Sequence, residues 1–193
     1  MIIAIILMIL ICIIYIYNEF NENMVYVTSD IDDKKYLVRD VHDKQQAANM
    51  LARIREQMFA LTEYLYKNRD EYKDNKKYIE QLNSRIYNSI IIESGNDAKY
   101  TSYSVNKGQQ LVFCIRSRDL HSKNQMHSLN LIMYVVLHEM AHVACPEHGH
   151  TPLFKQIFAF FTTVAIEQKI YIKIKFYANP TEYCGLTLNE SII

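Results

Sequence analysis

Residues 128–144 read SLNLIMYVVLHEMAHVA, and near the end of that run stands His138-Glu139-Met140-Ala141-His142. Leu129, Ile132, Met133, Val136, Leu137, Met140 and Val143 recur at three- and four-residue steps, which predicts a helix from about Ser128 through Ala144. One helical turn separates His138 from His142, so both imidazoles leave the same face and can share one metal ion. Glu139 is not a ligand in this pattern. It lies beside the metal, where a carboxylate can take a proton from a bound water. Leu137, Met140, Ala141 and Val143 make the same helix a buried one. Two histidines and a glutamate inside a buried helix are costly unless they are paired or hold a metal. The stretch therefore points to zinc (Zn2+) and to hydrolysis.

A hydrolytic zinc takes three protein ligands and keeps one position open. Three residues downstream compete for the third place. His150 follows the turn Pro146 to Gly149 and directly precedes Thr151-Pro152, a good N-cap followed by a residue suited to the first helical position. A turn there would bring the start of the next helix back to the metal. His148 has the spacing of HExxHxxGxxH, but Cys145 stands where that pattern has the Gly of a sharp turn. Glu167 lies on the next helix, near its far end. The turn and the cap favour His150, with His148 and Glu167 as the alternatives.

Outward from this core the chain reads as alternating helices and short strands. Ala47, Leu51, Ile54, Met58, Leu61 and Leu65 predict a long amphipathic helix from Asp43 to about Asn68. Tyr78, Ile79, Leu82 and Ile86 predict a second helix after a charged break. Residues 90–116 read as strands, with Tyr100–Val105 and Leu111–Arg116 flanking the turn Asn106-Lys107-Gly108. Residues 117–127 are a polar loop. The helix opened by Thr151-Pro152 runs to about Gln168, a β-branched strand follows at Ile170 to Phe176, and a short tail contains Tyr183-Cys184-Gly185. Leu111–Arg116 is expected along the cleft, where it could pair with an extended substrate. Tyr183 is a candidate for stabilising an oxyanion.

The N-terminus differs in kind. Residues 1–17, MIIAIILMILICIIYIY, hold no charge and no strongly polar group. As a helix they extend about 25 Å, enough to cross a bilayer core. A cleaved signal peptide would need a basic start and a small-residue cleavage site, and both are missing. Residues 1–17 are read as an uncleaved membrane anchor, 18–41 as an acidic stalk and 42–193 as one domain. Lys+Arg and Asp+Glu balance at 21 each, so charge gives no support to a general nucleic-acid binder. The four cysteines, Cys12, Cys114, Cys145 and Cys184, show no CxxC spacing and are expected as free thiols in a reducing compartment.

The runs Leu137-His138-Glu139-Met140-Ala141-His142 and Gly149-His150-Thr151-Pro152-Leu153-Phe154 resemble the SprT-like and WLM (Wss1-type) metallopeptidases, in which a third His opens a His-x-x-x-Phe segment at the start of the next helix. With Asn106-Lys107-Gly108, Cys114-Ile115-Arg116 and Tyr183-Cys184-Gly185, the chain also resembles membrane-anchored metallopeptidases predicted in large nucleocytoplasmic DNA viruses. The similarity covers about residues 100–186. It implies an α+β fold, a compact zincin-like (minigluzincin-type) domain with helices around a small sheet. It further implies His138, His142 and His150 as zinc ligands, Glu139 as general base, and peptide or protein substrates. A single-pass protein of a virion or host internal membrane follows from the viral likeness together with residues 1–17. No zinc-binding or ubiquitin-type module follows the domain, so a DNA–protein crosslink role is a weaker alternative. A structural, catalytically inactive zincin is another.

Overall fold

The structure is a computed structural model that describes residues 24–193 apart from 97, 120 and 123. The expected membrane anchor, residues 1–17, lies outside them. Among the described residues no helix is long and apolar enough to cross a membrane.

A five-stranded sheet forms one layer, in the order β1-β2-β3-β5-β4, built from β1 (Met24–Thr28), β2 (Lys35–Arg39), β3 (Ile90–Glu93), β4 (Tyr103–Val105) and β5 (Gln110–Phe113). β1 with β2 and β4 with β5 are antiparallel, while β3 runs parallel to both of its neighbours. Parallel pairing of β2 with β3 requires a long crossover, and two helices supply it: α1 (Lys44–Lys67) and α2 (Lys76–Ile86). The predicted apolar stripes of both helices are buried, Leu51, Ile54, Met58 and Leu61 on α1 and Ile79, Leu82 and Ile86 on α2. α3 (Leu129–Ala144) and α4 (Pro152–Glu167) complete the core. Their starts match the sequence reading. Ser128 Oγ accepts from the Leu131 N–H, and Thr151 Oγ accepts from the Phe154 N–H, with Pro152 at the first helical position.

Three expectations are corrected. The stretch 18–41, read as a stalk, belongs to the domain from Met24 onward, because Met24–Thr28 pairs along its length with Lys35–Arg39. The alternation that earns this is short, with Tyr36 and Val38 buried against the core and Val25 and Val27 packed beside it. Residues 170–176 form no strand. Tyr171 and Phe176 are buried, but Ile172 is 72% exposed, and its backbone is held at both ends by the Asn130 side-chain amide at the start of α3. An extended segment with its hydrogen bonds met by one side chain needs no partner strand. Finally, Cys114 and Cys184 are not free thiols. They form a disulfide across 70 residues, with Cα atoms 6.4 Å apart. A tail hairpin, β6 (Thr181–Tyr183) with β7 (Leu186–Leu188), folds over the end of β5 and brings them together. Local cysteine spacing cannot show such a pair. Among the described residues Cys145 is the free, buried one.

A buried ion network ties the sheet to α1. Arg116, 1% exposed, pairs with Glu93 at the end of β3 and with Asp43 just before α1, Nη2 lying 2.8 Å from Asp43 Oδ1. The second Glu93 oxygen accepts the Arg39 backbone N–H at 2.8 Å. Burial pushes the Asp43 carboxyl up, but the Arg116 hydrogen bonds and charge outweigh it and hold it below the ordinary value. Burial pushes Glu93 up and wins there, despite Arg116. Substituting Arg116→Met should strand both carboxylates and cost about 3–5 kcal/mol at neutral pH. A depressed folded carboxyl adds stability that is present above its unfolded value and lost as pH falls through the folded one. The Asp43 share therefore fades below about pH 4, and the deficit of the variant in urea unfolding should narrow there.

Candidate metal centre

α3 carries the first half of the site and the α3–α4 turn the second. His138 and His142 project from one face of α3, one turn apart. After Ala144 the backbone of Cys145 turns extended, with φ −76° and ψ 128°. The sharp reversal comes later, at Gly149, whose φ of +76° falls in the left-handed region that glycine adopts without strain. That reversal, one residue before His150, explains why the HExxHxxGxxH register does not apply: no left-handed residue stands at position 145 to bring His148 inward. His150 then sits directly ahead of the Thr151 cap.

The three Nε2 atoms converge. His138 to His142 is 3.2 Å, His142 to His150 is 3.2 Å, and His150 to His138 is 3.0 Å. Each imidazole Nε2 either donates its N–H or offers a lone pair. Three atoms of two kinds must include two alike, so at least one of these contacts is repulsive unless a cation stands among them. A proton is a poor candidate for that cation. Burial, then the neighbouring imidazoles, pushes His138 down to about 3. Burial, then His150 and Lys107, pushes His142 down to about 4. Neutral imidazoles are what a metal requires, and a tetrahedral zinc with Zn–N of about 2.0–2.1 Å sets its nitrogens about 3.3 Å apart. The donor set and its spacing fit zinc.

Phe154, on the first turn of α4, is the floor of this arrangement. Its ring stacks on His142 at 4.1 Å and meets His138 and His150 edge-on at 4.9 and 5.0 Å. Phe158, one turn further, packs against His138. The aromatic of the His-x-x-x-Phe segment thus contacts all three rings.

Glu139 faces the same cleft, a depression of about 420 Å³ lined by the three histidines on one side and by β4 on the other. The residue is 3% exposed, and its Oε2 has no hydrogen-bond partner among the described residues. Burial pushes its carboxyl up to about 8. A dication nearby would draw that value down again. A carboxyl so placed can exchange a proton near neutral pH, a property that acid–base chemistry uses.

The alternative ligands are placed elsewhere. His148 lines the cleft but stands outside the cluster formed by His138, His142 and His150. Glu167 lies at the far end of α4, roughly 22 Å along the helix from its start, in a separate depression with Tyr72 and Phe160. Tyr183 does not reach the cleft. Its hydroxyl donates to the Cys114 carbonyl at 2.8 Å and shares a 2.7 Å bond with Ser102. It is a buried brace between the tail and β5. The strand beside the cleft is β4, not the expected Leu111–Arg116, because β5 lies inside the sheet between β3 and β4. Sequence reasoning also passed over Lys107, seen only as part of a hairpin turn. In the structure it lines the cleft and bonds the backbone after α3.

No protein-family model matches the chain. It is 42% identical over 191 residues to the uncharacterized protein R325 of Acanthamoeba polyphaga mimivirus, covering 99% of this chain and 95% of that one. It is 35% identical over 109 residues to the uncharacterized protein 042R of Invertebrate iridescent virus 3, covering 56% of this chain and 62% of that one. The crystal structure of Wss1 from Saccharomyces cerevisiae is similar with a TM-score of 0.46 and 20% sequence identity, over 66% of this chain and 84% of that one.

Metal analysis should find one zinc per chain. Alanine at 138, 142 or 150 should weaken it by roughly 100-fold or more, beyond the about 10–100-fold that outer partners cost. Alanine at 148 or 167 should leave it in place. At a zinc concentration 100 times the Kd, the wild type should gain about 2.7 kcal/mol in unfolding free energy, and a chelator should remove that gain.

Proposed function

The chain belongs to the family of the mimivirus protein R325, and from that premise and the three-histidine cluster we propose that it is a zinc-dependent peptidase. The observation that carries the proposal is the convergence of three imidazole nitrogens beside a buried carboxylate oxygen with no hydrogen-bond partner among the described residues, all facing one cleft. A zinc ion held by His138, His142 and His150 would supply a Lewis acid that lowers the pKa of water. Glu139 takes a proton from the attacking water and later returns one to the leaving amine. Its burial, which raises proton affinity, suits both transfers. β4 ends the sheet, and its outer edge pairs with no other strand among the described residues. An extended peptide laid along Tyr103–Val105 would gain backbone hydrogen bonds and bring a peptide bond to Glu139.

A closed structural zinc site would use four protein ligands. Here the cluster numbers three among the described residues, and all three line the cleft. That favours a hydrolytic site over a scaffold. Residues 1–17, apolar throughout, support a peptidase tethered to a membrane.

The test is Glu139→Gln in the purified full chain, assayed on a peptide library. The variant should retain one zinc and lose about 10²–10⁴-fold in turnover. Proteolysis at the wild-type rate would refute the role of Glu139.

A further inference from the structure

The turn that delivers His150 is weakly held from within. Among the described residues, none of 146–150 takes part in a backbone–backbone hydrogen bond. Its tether comes from the β4–β5 hairpin, about forty positions earlier. The Lys107 ammonium donates to the Cys145 carbonyl at 2.9 Å and also to the Glu147 carbonyl. Among the described residues no other side chain donates to the backbone of 145–150.

Two further features of the hairpin tip point the same way. Asn106 and Lys107 both have positive φ, 47° and 54°. Asparagine tolerates that region, but a lysine enters it at a cost and stays only where the surroundings over-determine it. Gly108, next along, has φ +99°, and a Cβ there would lie 2.9 Å from both methyls of Val143. The tip is therefore seated flush on the last turn of α3. The Val143 carbonyl is already taken by Gln81 and Arg85, at 3.3 and 3.0 Å. Lys107 takes the carbonyl of Cys145, the residue just past the helix, and that of Glu147 in the turn, close to a helix C-terminus where a cation is favoured.

We propose that Lys107 is a positioning residue for the third metal ligand: its ammonium bridges the Cys145 and Glu147 carbonyls and fixes the turn that sets His150 Nε2 against His138 and His142. This rests on the zinc reading of the three histidines. It assigns a role to the Asn106-Lys107-Gly108 tip, which otherwise reads as an ordinary hairpin turn. The ammonium, with three donors and no geometric fork, suits two carbonyls that diverge.

The experiment measures zinc affinity of the full chain by competition with a chromophoric chelator. The proteins are wild type, Lys107→Met, His150→Ala and the double variant, with the thermal midpoint of each zinc-free form recorded alongside. Lys107→Met should bind zinc 10–100-fold more weakly, the range for partners one shell out from a metal. In the His150→Ala background the same change should have no further effect, because the ligand it positions is gone. Cobalt substitution should show an altered ligand-field spectrum in Lys107→Met. Lys107→Gln, a milder change, should weaken zinc in the same direction. Unchanged zinc affinity in both lysine variants would overturn the proposal, as would an equal loss with and without His150. If the wild type itself bound no zinc, the metal reading would fall and take this inference with it.

Discussion

Three imidazole nitrogens, each within 3.2 Å of the other two, cannot satisfy one another, and the fold is arranged to keep them there. Left to themselves, neutral imidazoles would turn apart toward water. Packing against Phe154 holds them together, beside the Lys107 hydrogen bonds to the turn that carries His150. Phe154 presses on all three rings, and Phe158 adds a second wall behind His138. Because both phenylalanines stand on α4, the site depends on how α4 meets α3. That in turn depends on the short reversal at Gly149 and the Thr151 cap. The three-histidine cluster thus sits at an interface between two helices, with one imidazole supplied at the point where the chain crosses from one to the other.

The sheet serves this interface from the opposite side. β4 and its turn lie along α3, with Gly108 against Val143, so the cleft has one wall of helix and one wall of strand. That wall is braced from behind. The Cys114 N–H donates to Ser102 Oγ at 3.0 Å, and Ser102 meets the Tyr183 hydroxyl, which donates back to the Cys114 carbonyl. The Cys114–Cys184 disulfide closes the same loop covalently. The tail hairpin is accordingly a clasp on the strand wall of the cleft. Its tyrosine is useful because it is buried and committed, which is also why it is unavailable as an oxyanion donor.

What the sequence made legible was local. The helix bearing His138 and His142 shows in its own apolar period. The choice of His150 shows in Thr151-Pro152, because an N-cap is specified by the residues that form it. The hairpin at Asn106-Lys107-Gly108 shows in its turn chemistry. What stayed hidden is carried by partners far apart in sequence. Lys107 meets Cys145, Tyr183 meets Cys114, and Arg116 meets Asp43. No periodicity encodes those meetings. The misread segments follow the same rule. Residues 170–176 have strand composition, but a strand needs a neighbour, and Asn130 took that place. Residues 24–39 have short alternation that only pairing turns into two strands of the sheet.

Glu139 shows why the site has to be built on so apolar a helix. A carboxyl at 3% exposure with one oxygen unpartnered opposes folding, and its proton affinity rises to about 8 as the direct expression of that cost. The same displacement makes the group able to give and take a proton near neutrality, which an exposed glutamate does poorly. The two properties cannot be separated, since both come from removing water around the carboxyl. α3 tolerates the cost because Leu137, Met140, Ala141 and Val143 around it are fully buried and hold the helix in the core regardless of Glu139. A dication among the histidines would relieve part of the penalty by offering the carboxylate a positive charge at close range. A metal bound there would therefore be coupled to the protonation state of Glu139.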